Sequence, residues 1–144
     1  MLTFLFVRPI ILIRRITSRL IVMASPVEKK MNRNVVRIHP DKSVRYAGQI
    51  LKAVDIGCLI VVDGSDKIEG IITERDIVQK VVANGLDPDS TKVRDVMSKN
   101  VITIEKKQTV DEAKELMEKK RIKKLPIIDK GKLIGILTST DMIQ

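Results

Sequence analysis

The chain repeats itself. At an offset of 66 residues, 27–63 lies over 93–129, and after a one-residue gap 67–79 lies over 132–144. Sixteen of the fifty paired positions are identical, where average residue usage gives roughly one in fifteen. The identities include Met31/Met97, Asn34/Asn100, Ala47/Ala113, Asp63/Asp129, Gly70/Gly135, Thr73/Thr138 and Asp76/Asp141. Two copies make a duplicated domain and not a solenoid. A half of about 55 residues buries too little surface to be comfortable alone. Two halves packed sheet to sheet about a pseudo-twofold axis bury enough, and they create a cleft at the join.

Each copy reads β-α-β-β-α, which puts the chain in the α/β (α+β) class. In the second copy, residues 101–104 are a short β-branched run ahead of a polar break. Residues 109–112 read TVDE, a capping box in which the Thr109 hydroxyl takes an orphan amide and Glu112 reaches back. The helix runs to Lys120 with Val110, Ala113, Leu116 and Met117 on one face. Strands over 125–128 and 133–138 meet at an Asp-Lys-Gly turn. Copy one predicts strands over 35–38, 59–62 and 68–73, with helices over 43–54 and 76–83. The resulting division is an extension at 1–26, a first repeat at 27–83, a linker at 84–92 and a second repeat at 93–144.

Residue types shorten the list of functions. One histidine (His39) and one cysteine (Cys58) leave no intrachain disulfide, no zinc cluster and no Cys/His nucleophile pair. No Walker loop or nucleophile–base pair points to an enzyme. Aromatic residues are only 2% and tryptophan is absent, so the stacking platforms of single-strand nucleic-acid binders are missing. The net charge of +9 would attract polyanions. Four of the arginines, however, lie in the first 26 residues, which contain no acid; the rest balances 23 basic against 18 acidic residues. Without helix-turn-helix spacing, nucleic-acid binding ranks low. The run Lys119, Lys120, Arg121, Lys123 and Lys124 reads as a solvated helix end that suits the dipole, or as a phosphate contact. His39 reads as a loop residue before Pro40, and Cys58 as core.

The extension is apolar but repeatedly broken by arginine. No uncharged run approaches the roughly 20 residues that span a bilayer, and the charges fall within and after the apolar part, unlike a secretory signal. Two readings stay open. As a genuine segment it resembles an organelle transit peptide, or a membrane-surface helix with Arg8, Arg15 and Arg19 opposite Leu5, Ile13, Ile16 and Leu20. Otherwise the start is mis-assigned and translation begins at Met23. The fold is expected not to need it, and the expected location is cytoplasmic, or an organelle if the segment is real.

The chemistry concentrates in two matching tetrapeptides, TERD at 73–76 and TSTD at 138–141. In each, the carboxylate of Asp76 or Asp141 would accept both hydroxyls of a ribose. The Thr73 or Thr138 hydroxyl and the free amides of a new helix suit a phosphate, with Ser139 inside the second turn and Arg75 inside the first. Gly70 and Gly135 allow close approach of backbone, and adenine needs only an apolar slot with backbone donors and acceptors. The same residues also make an N-cap with an acid in the first turn. Both readings remain open at this point.

VRDVMSKNVITI (93–104), RIKKLPIID (121–129) and GKLIGILTSTD (131–141), with DIGCLIVVD (55–63) and IEGIITERDIV (68–78), resemble the cystathionine-β-synthase-type (CBS) domain family over 27–144. The resemblance implies a tandem pair, or Bateman module, that dimerises and binds AMP, ADP, ATP or S-adenosylmethionine between its repeats. It implies a non-catalytic regulator of a separate, unidentified partner protein, with neither nucleic acid nor membrane as partner. On the family's pattern Thr103, Pro126 and Ile127 approach the adenine slot. Copy one has Arg37 and Ile60 where copy two has Thr103 and Pro126, so two equivalent sites are not expected. The competing reading is a ligand-free dimerisation or interaction module.

Overall fold

The computed structural model describes residues 14–142. Residues 1–13, with Leu5, Arg8 and Ile13 of the expected amphipathic face, lie outside them, as do 143–144. A helix, α1, covers 14–24. The first repeat follows with β1 (Arg37–Ile38), α2 (Val44–Val54), β2 (Cys58–Val62) and β3 (Ile68–Thr73). Then comes α3, one α-turn (Glu74–Asp76) running on into six π-helical residues (Ile77–Val82). The second repeat holds α4 (Val93–Val96), β4 (Ile104–Glu105), α5 (Val110–Lys120), β5 (Lys124–Asp129) and β6 (Lys132–Thr138). Each repeat has a three-stranded sheet in chain order, its first pair parallel and its second antiparallel.

The two long helices form for the same local reasons. Ser43 and Thr109 cap them, each hydroxyl 3.1 Å from the amide three residues on. Both end on a residue in the left-handed region, Asp55 at φ 57° and Arg121 at φ 56°. Val44, Ala47 and Leu51 on α2, and Val110, Ala113 and Met117 on α5, are buried at matching positions against their sheets. The expected capping box at Thr109 is only half made. The Glu112 carboxylate accepts from the Gln108 amide at 3.0 Å instead of returning to the Thr109 backbone. The first strands are two residues long, not four; the equivalent residues ahead of them, Val36 and Ile102, still pack against the core of their own repeat but lie outside the strand pairing. Cys58, expected in the core, is only half-buried, and its Sγ lies 3.6 Å from Nζ of Lys124, its own counterpart.

The sequence repeat is not the packing unit. Val27, at the head of the first repeat, is fully buried in the core of the second, among Ile104, Val110, Leu125 and Leu137. Val93 and Val96, at the head of the second, are buried in the core of the first, among Val44, Leu59 and Ile72. The halves have exchanged their leading segments. Backbone bonds fix the exchange with near-perfect symmetry. The Val44 amide donates to Thr91 and the Val110 amide to Ser25, both at 2.9 Å. Asn32 exchanges two bonds with Ile136 of β6, and Ser98 two with Ile71 of β3. Thr91 and Ser25 are themselves 66 residues apart, so the duplicated geometry reaches two residues further upstream than the repeat read from identities.

The exchange explains the matched glycines. A Cβ at Gly70 would lie 2.8 Å from the Ser98 carbonyl and 2.9 Å from Met97 Cγ; one at Gly135 would lie 2.8 Å from Met31 Cγ and 3.2 Å from the Asn32 carbonyl. The backbone that approaches each glycine is therefore the other repeat's leading segment. Between the sheets, Ile60, Val62 and Leu133 are buried, with Val35, Ile68, Ile71 and Ile136 packed around them. A Lys67–Lys132 bridge and a 2.9 Å bond from the Leu133 amide to Asp66 stitch the hairpin ends across the pseudo-twofold axis.

Candidate functional site

Parallel pairing of β4 with β5, and antiparallel pairing of β5 with β6, bring three chain segments to one end of the second sheet. Thr103 stands just before β4, Lys124 opens β5 opposite Thr138, and Thr138 closes β6. The Ser139 amide donates to the Lys123 carbonyl at 2.9 Å and holds the turn against that end. Thr103, Thr138, Ser139 and Asp141 are all half-buried there. Pro126 pairs with Ile136 and shares its sheet face, which looks toward the other repeat. Ile127 points the opposite way. Its side chain is fully buried in the second core, so what it can offer a ligand is its backbone. Thr73, Arg75 and Asp76 occupy the equivalent end of the first sheet, with Arg75 exposed.

Both tetrapeptides make the same hydrogen-bonded cap, which opens α3 in copy one and a turn after β6 in copy two. Asp76 Oδ2 accepts from the Thr73 amide at 2.9 Å and its hydroxyl at 3.0 Å, and the Asp76 amide donates to Thr73 Oγ1 at 3.1 Å. In copy two, Asp141 Oδ2 accepts from the Thr138 amide at 2.9 Å and its hydroxyl at 2.8 Å, while the Asp141 amide donates back at 3.3 Å. One oxygen of each carboxylate is thus committed to the fold. The capping and ligand readings share the residue and divide its oxygens.

The copies differ in the other oxygen. Asp76 Oδ1 pairs with Lys80 Nζ at 3.0 Å, and that ammonium also donates to the Val96 carbonyl of the exchanged segment at 2.8 Å. The Asp76 side chain is left 12% exposed, so the first-copy acid faces little solvent. Asp141 Oδ1 has no hydrogen bond or ion pair among the described residues. The strand starts differ as well. Arg37, in Thr103's place, donates to the Val35 carbonyl at 2.9 Å and across the join to the Leu133 carbonyl at 3.2 Å. Its Nε lies 3.2 Å from Asp66 Oδ1, near enough for an ion pair yet poorly aligned for a hydrogen bond. Lys80 and the reach of Arg37 across the join were not read from the sequence; the Asp76/Lys80 spacing of four on a helix was the available signal.

His39 stays in an exposed loop, where its Nδ1 accepts from the Asp41 amide at 3.2 Å. Of the basic run, Arg121 is the left-handed cap of α5 and Lys123 carries the carbonyl bound by Ser139. Arg94 beside Asp41 holds that carboxyl below the usual carboxylate range. Among the described residues no helix is long and apolar enough to cross a membrane.

A duplicated β-α-β-β unit with exchanged leading segments and an acid-capped turn at one end of each sheet defines a tandem small-domain pair. The chain belongs to the CBS-domain family, whose model matches residues 24–83 and 93–144. It is 43% identical over 113 residues to an uncharacterized protein of Methanopyrus kandleri, a match covering 78% of this chain and 58% of that protein. The chain therefore spans less than two thirds of that relative's length. Inosine-5'-monophosphate dehydrogenase of Methanocaldococcus jannaschii is 36% identical over 113 residues, which cover 78% of this chain but only 22% of the enzyme. Among solved structures, hypoxic response protein I with two coordinated zinc ions matches with a TM-score of 0.76 and 27% identity, over 83% of this chain and 97% of that one. A hexameric CBS-CP12 protein from bloom-forming cyanobacteria matches with a TM-score of 0.70 and 32% identity, over 84% of this chain and 67% of that one.

Proposed function

We propose that the chain is a non-catalytic regulatory module that binds one adenosine-containing ligand (AMP, ADP, ATP or S-adenosylmethionine) at the TSTD turn and signals occupancy to a separate partner protein. One observation carries this reading: Thr103, Thr138, Ser139 and Asp141 stand together, half-buried, at one end of the second sheet, whereas in copy one Arg37 replaces Thr103 and bonds across the join to the Leu133 carbonyl. Thr103 and Pro126 supply the neighbouring wall on the face toward the other repeat. Domain boundaries at 27–83 and 93–144, with a linker at 84–92, belong to the same proposal.

The exposed apolar side chains of copy one favour an assembly. Val54, Val78 and Val82 on α2 and α3 are 48%, 57% and 68% exposed, and a second copy would cover them. Met142, by contrast, packs half-buried against the second core. The hexameric cyanobacterial relative makes a homodimer the smallest assembly to test for, and light scattering distinguishes a dimer from a hexamer. The competing interaction-module reading fits copy one, where Lys80 and Arg37 fill the positions a ligand would use.

A melting experiment with each of the four ligands tests the function. A ligand that binds only the folded state adds roughly 2.7 kcal/mol at a hundredfold excess over Kd, and at least one is expected to raise Tm accordingly. Asp141→Asn retains one acceptor but removes the charge, and should weaken binding by about 1.5–3 kcal/mol. Unchanged melting curves with all four ligands would leave the interaction module as the better account.

A further inference from the structure

α1 turns its apolar side outward. At about 100° per residue, Ile16, Leu20, Ala24, Thr17 and Ile21 follow one another around half of the helix, and all five are exposed. Ile16, Leu20 and Ile21 are 51%, 64% and 64% exposed. The half-buried residues of α1 are Val22 and Met23, and Met23 packs against the second core. A surface helix of a globular protein does the opposite, with its apolar stripe inward and its polar residues in solvent. Arg14, Arg15 and Arg19 share the remaining circumference with Ser18 and Val22. None of the three has an ion-pair partner among the described residues, Asp111 in the groove between α1 and α5 included. Residues 1–13 contain no acid that could supply one.

The duplicated fold does not call for this helix. The residues 66 positions on, 80–90, finish the π-helical stretch and turn into the linker, where Asp89 pairs with Arg45. The matched geometry of the leading segments begins only at Ser25 and Thr91. α1 is nonetheless joined to the second repeat without slack, because the Val110 amide donates to Ser25 at 2.9 Å and the Val27 amide to Gln108 at 2.8 Å. Charge decides what covers its outward face. A second copy would set three arginines against the same three, with no acid on the helix between them. A nucleic acid would take the arginines and leave Ile16, Leu20 and Ile21 in water. An anionic bilayer takes both: aliphatic side chains enter the acyl boundary, and guanidinium groups stay at the head groups, drawn by the negative surface potential.

We infer that α1 lies flat on an anionic lipid bilayer, with Ile16, Leu20 and Ile21 in the acyl boundary and Arg14, Arg15 and Arg19 at the lipid phosphates. The helix rests on the surface and does not cross it, being too short and too charged to span. Its direct junction with the start of α5 holds the second repeat beside the membrane. This docking surface departs from the membrane-free partnership that the family resemblance implies, and it is independent of any ligand at Asp141.

The chain has no tryptophan, so full-length Leu20→Trp carries a single fluorophore on the outward face. Its emission is expected to shift to the blue on vesicles of equimolar phosphatidylcholine and phosphatidylglycerol. Affinity for these should exceed that for pure phosphatidylcholine at least about tenfold. Arg14→Gln, Arg15→Gln and Arg19→Gln together should abolish that preference. In the native chain, Ile16→Ser with Ile21→Ser should weaken vesicle flotation at least about tenfold and leave Tm unchanged, because both side chains lie outside the cores. Asp141→Asn should float with vesicles as the native chain does. No blue shift, equal binding to neutral and anionic vesicles, or binding indifferent to the arginine or isoleucine variants would each overturn the proposal. So would tighter binding of random-sequence duplex DNA than of anionic vesicles, or emission already blue-shifted without lipid, as a second copy on this face would give.

Discussion

TERD and TSTD make the same cap at equivalent ends of their sheets, yet they are chemically unlike. In the first, Lys80 satisfies the second oxygen of Asp76 and ties it to the exchanged α4, while Arg37 braces the join from the strand start. In the second, Thr103 stands where Arg37 stands in the first. Copy one thus commits an ion pair and a cross-repeat hydrogen bond to the fold at these positions, and the ligand is proposed at copy two. A buried group tied up in a network is costly to disturb.

That comparison can be strained at several points. The largest effect belongs to the crossing of the leading segments. Gly70→Ala drives a methyl into the Ser98 carbonyl, which is backbone and cannot swing aside, and should cost about 3 kcal/mol in urea unfolding; Gly135→Ala meets mainly the flexible Met31 side chain and should cost about 1 kcal/mol. Equal costs would mean that the two crossings are equally stiff. Next, Val27→Ala should remove about 2 kcal/mol through lost burial and a cavity. Its loss of amide protection should appear in α5, β5 and β6, not in the first repeat that contains Val27 by sequence. If protection falls in α2 and β2 instead, the exchange is wrong.

A smaller difference separates the two acids in the absence of ligand. Asp76→Asn loses its partnership with Lys80 as well as a charged cap, and should destabilise by about 1.5 kcal/mol. Asp141→Asn loses only the charged cap, about 0.5–1 kcal/mol. The reverse order by thermal unfolding would place the structural acid in copy two. The smallest effect concerns Asp63, whose carboxylate accepts from the Ser65 and Lys67 amides at 2.8 and 3.1 Å and is held below its usual range by them. A depressed carboxylate contributes stability above the unfolded value, about 3.9, and loses it as pH falls through the lower folded value. Asp63→Asn should therefore lower stability slightly at neutral pH, where the charged acceptor contributes, and flatten the acid limb, with little change below the folded value.

Much of this architecture was legible before any coordinates. The offset of 66 gave two domains, and the caps at Ser43 and Thr109 and the apolar stripes of α2 and α5 set both helices within a residue. Those signals are local or periodic, and a linear reading detects them. The exchange of leading segments was not legible, because Val27 and Val93 look alike and nothing in the chain says which core each enters. The matched glycines allow close approach of backbone; what the sequence did not say is that the approaching backbone is the other repeat's leading segment. Strand alternation puts Pro126 and Ile127 on opposite faces, and which of the two faces meets the other repeat depends on how the halves dock. Lys80 and Arg37 close copy one through tertiary contacts with Val96 and Leu133, which depend on how the halves dock.

The central claim is that one of two duplicated sites is competent, and calorimetric stoichiometry measures it directly. Titrating the adenosine ligand that most raises Tm should give one molecule per chain, with binding strongly weakened in Asp141→Asn and retained in Asp76→Asn once the folded fraction is taken into account. Two molecules per chain, or binding lost with Asp76 and kept without the Asp141 charge, would contradict it.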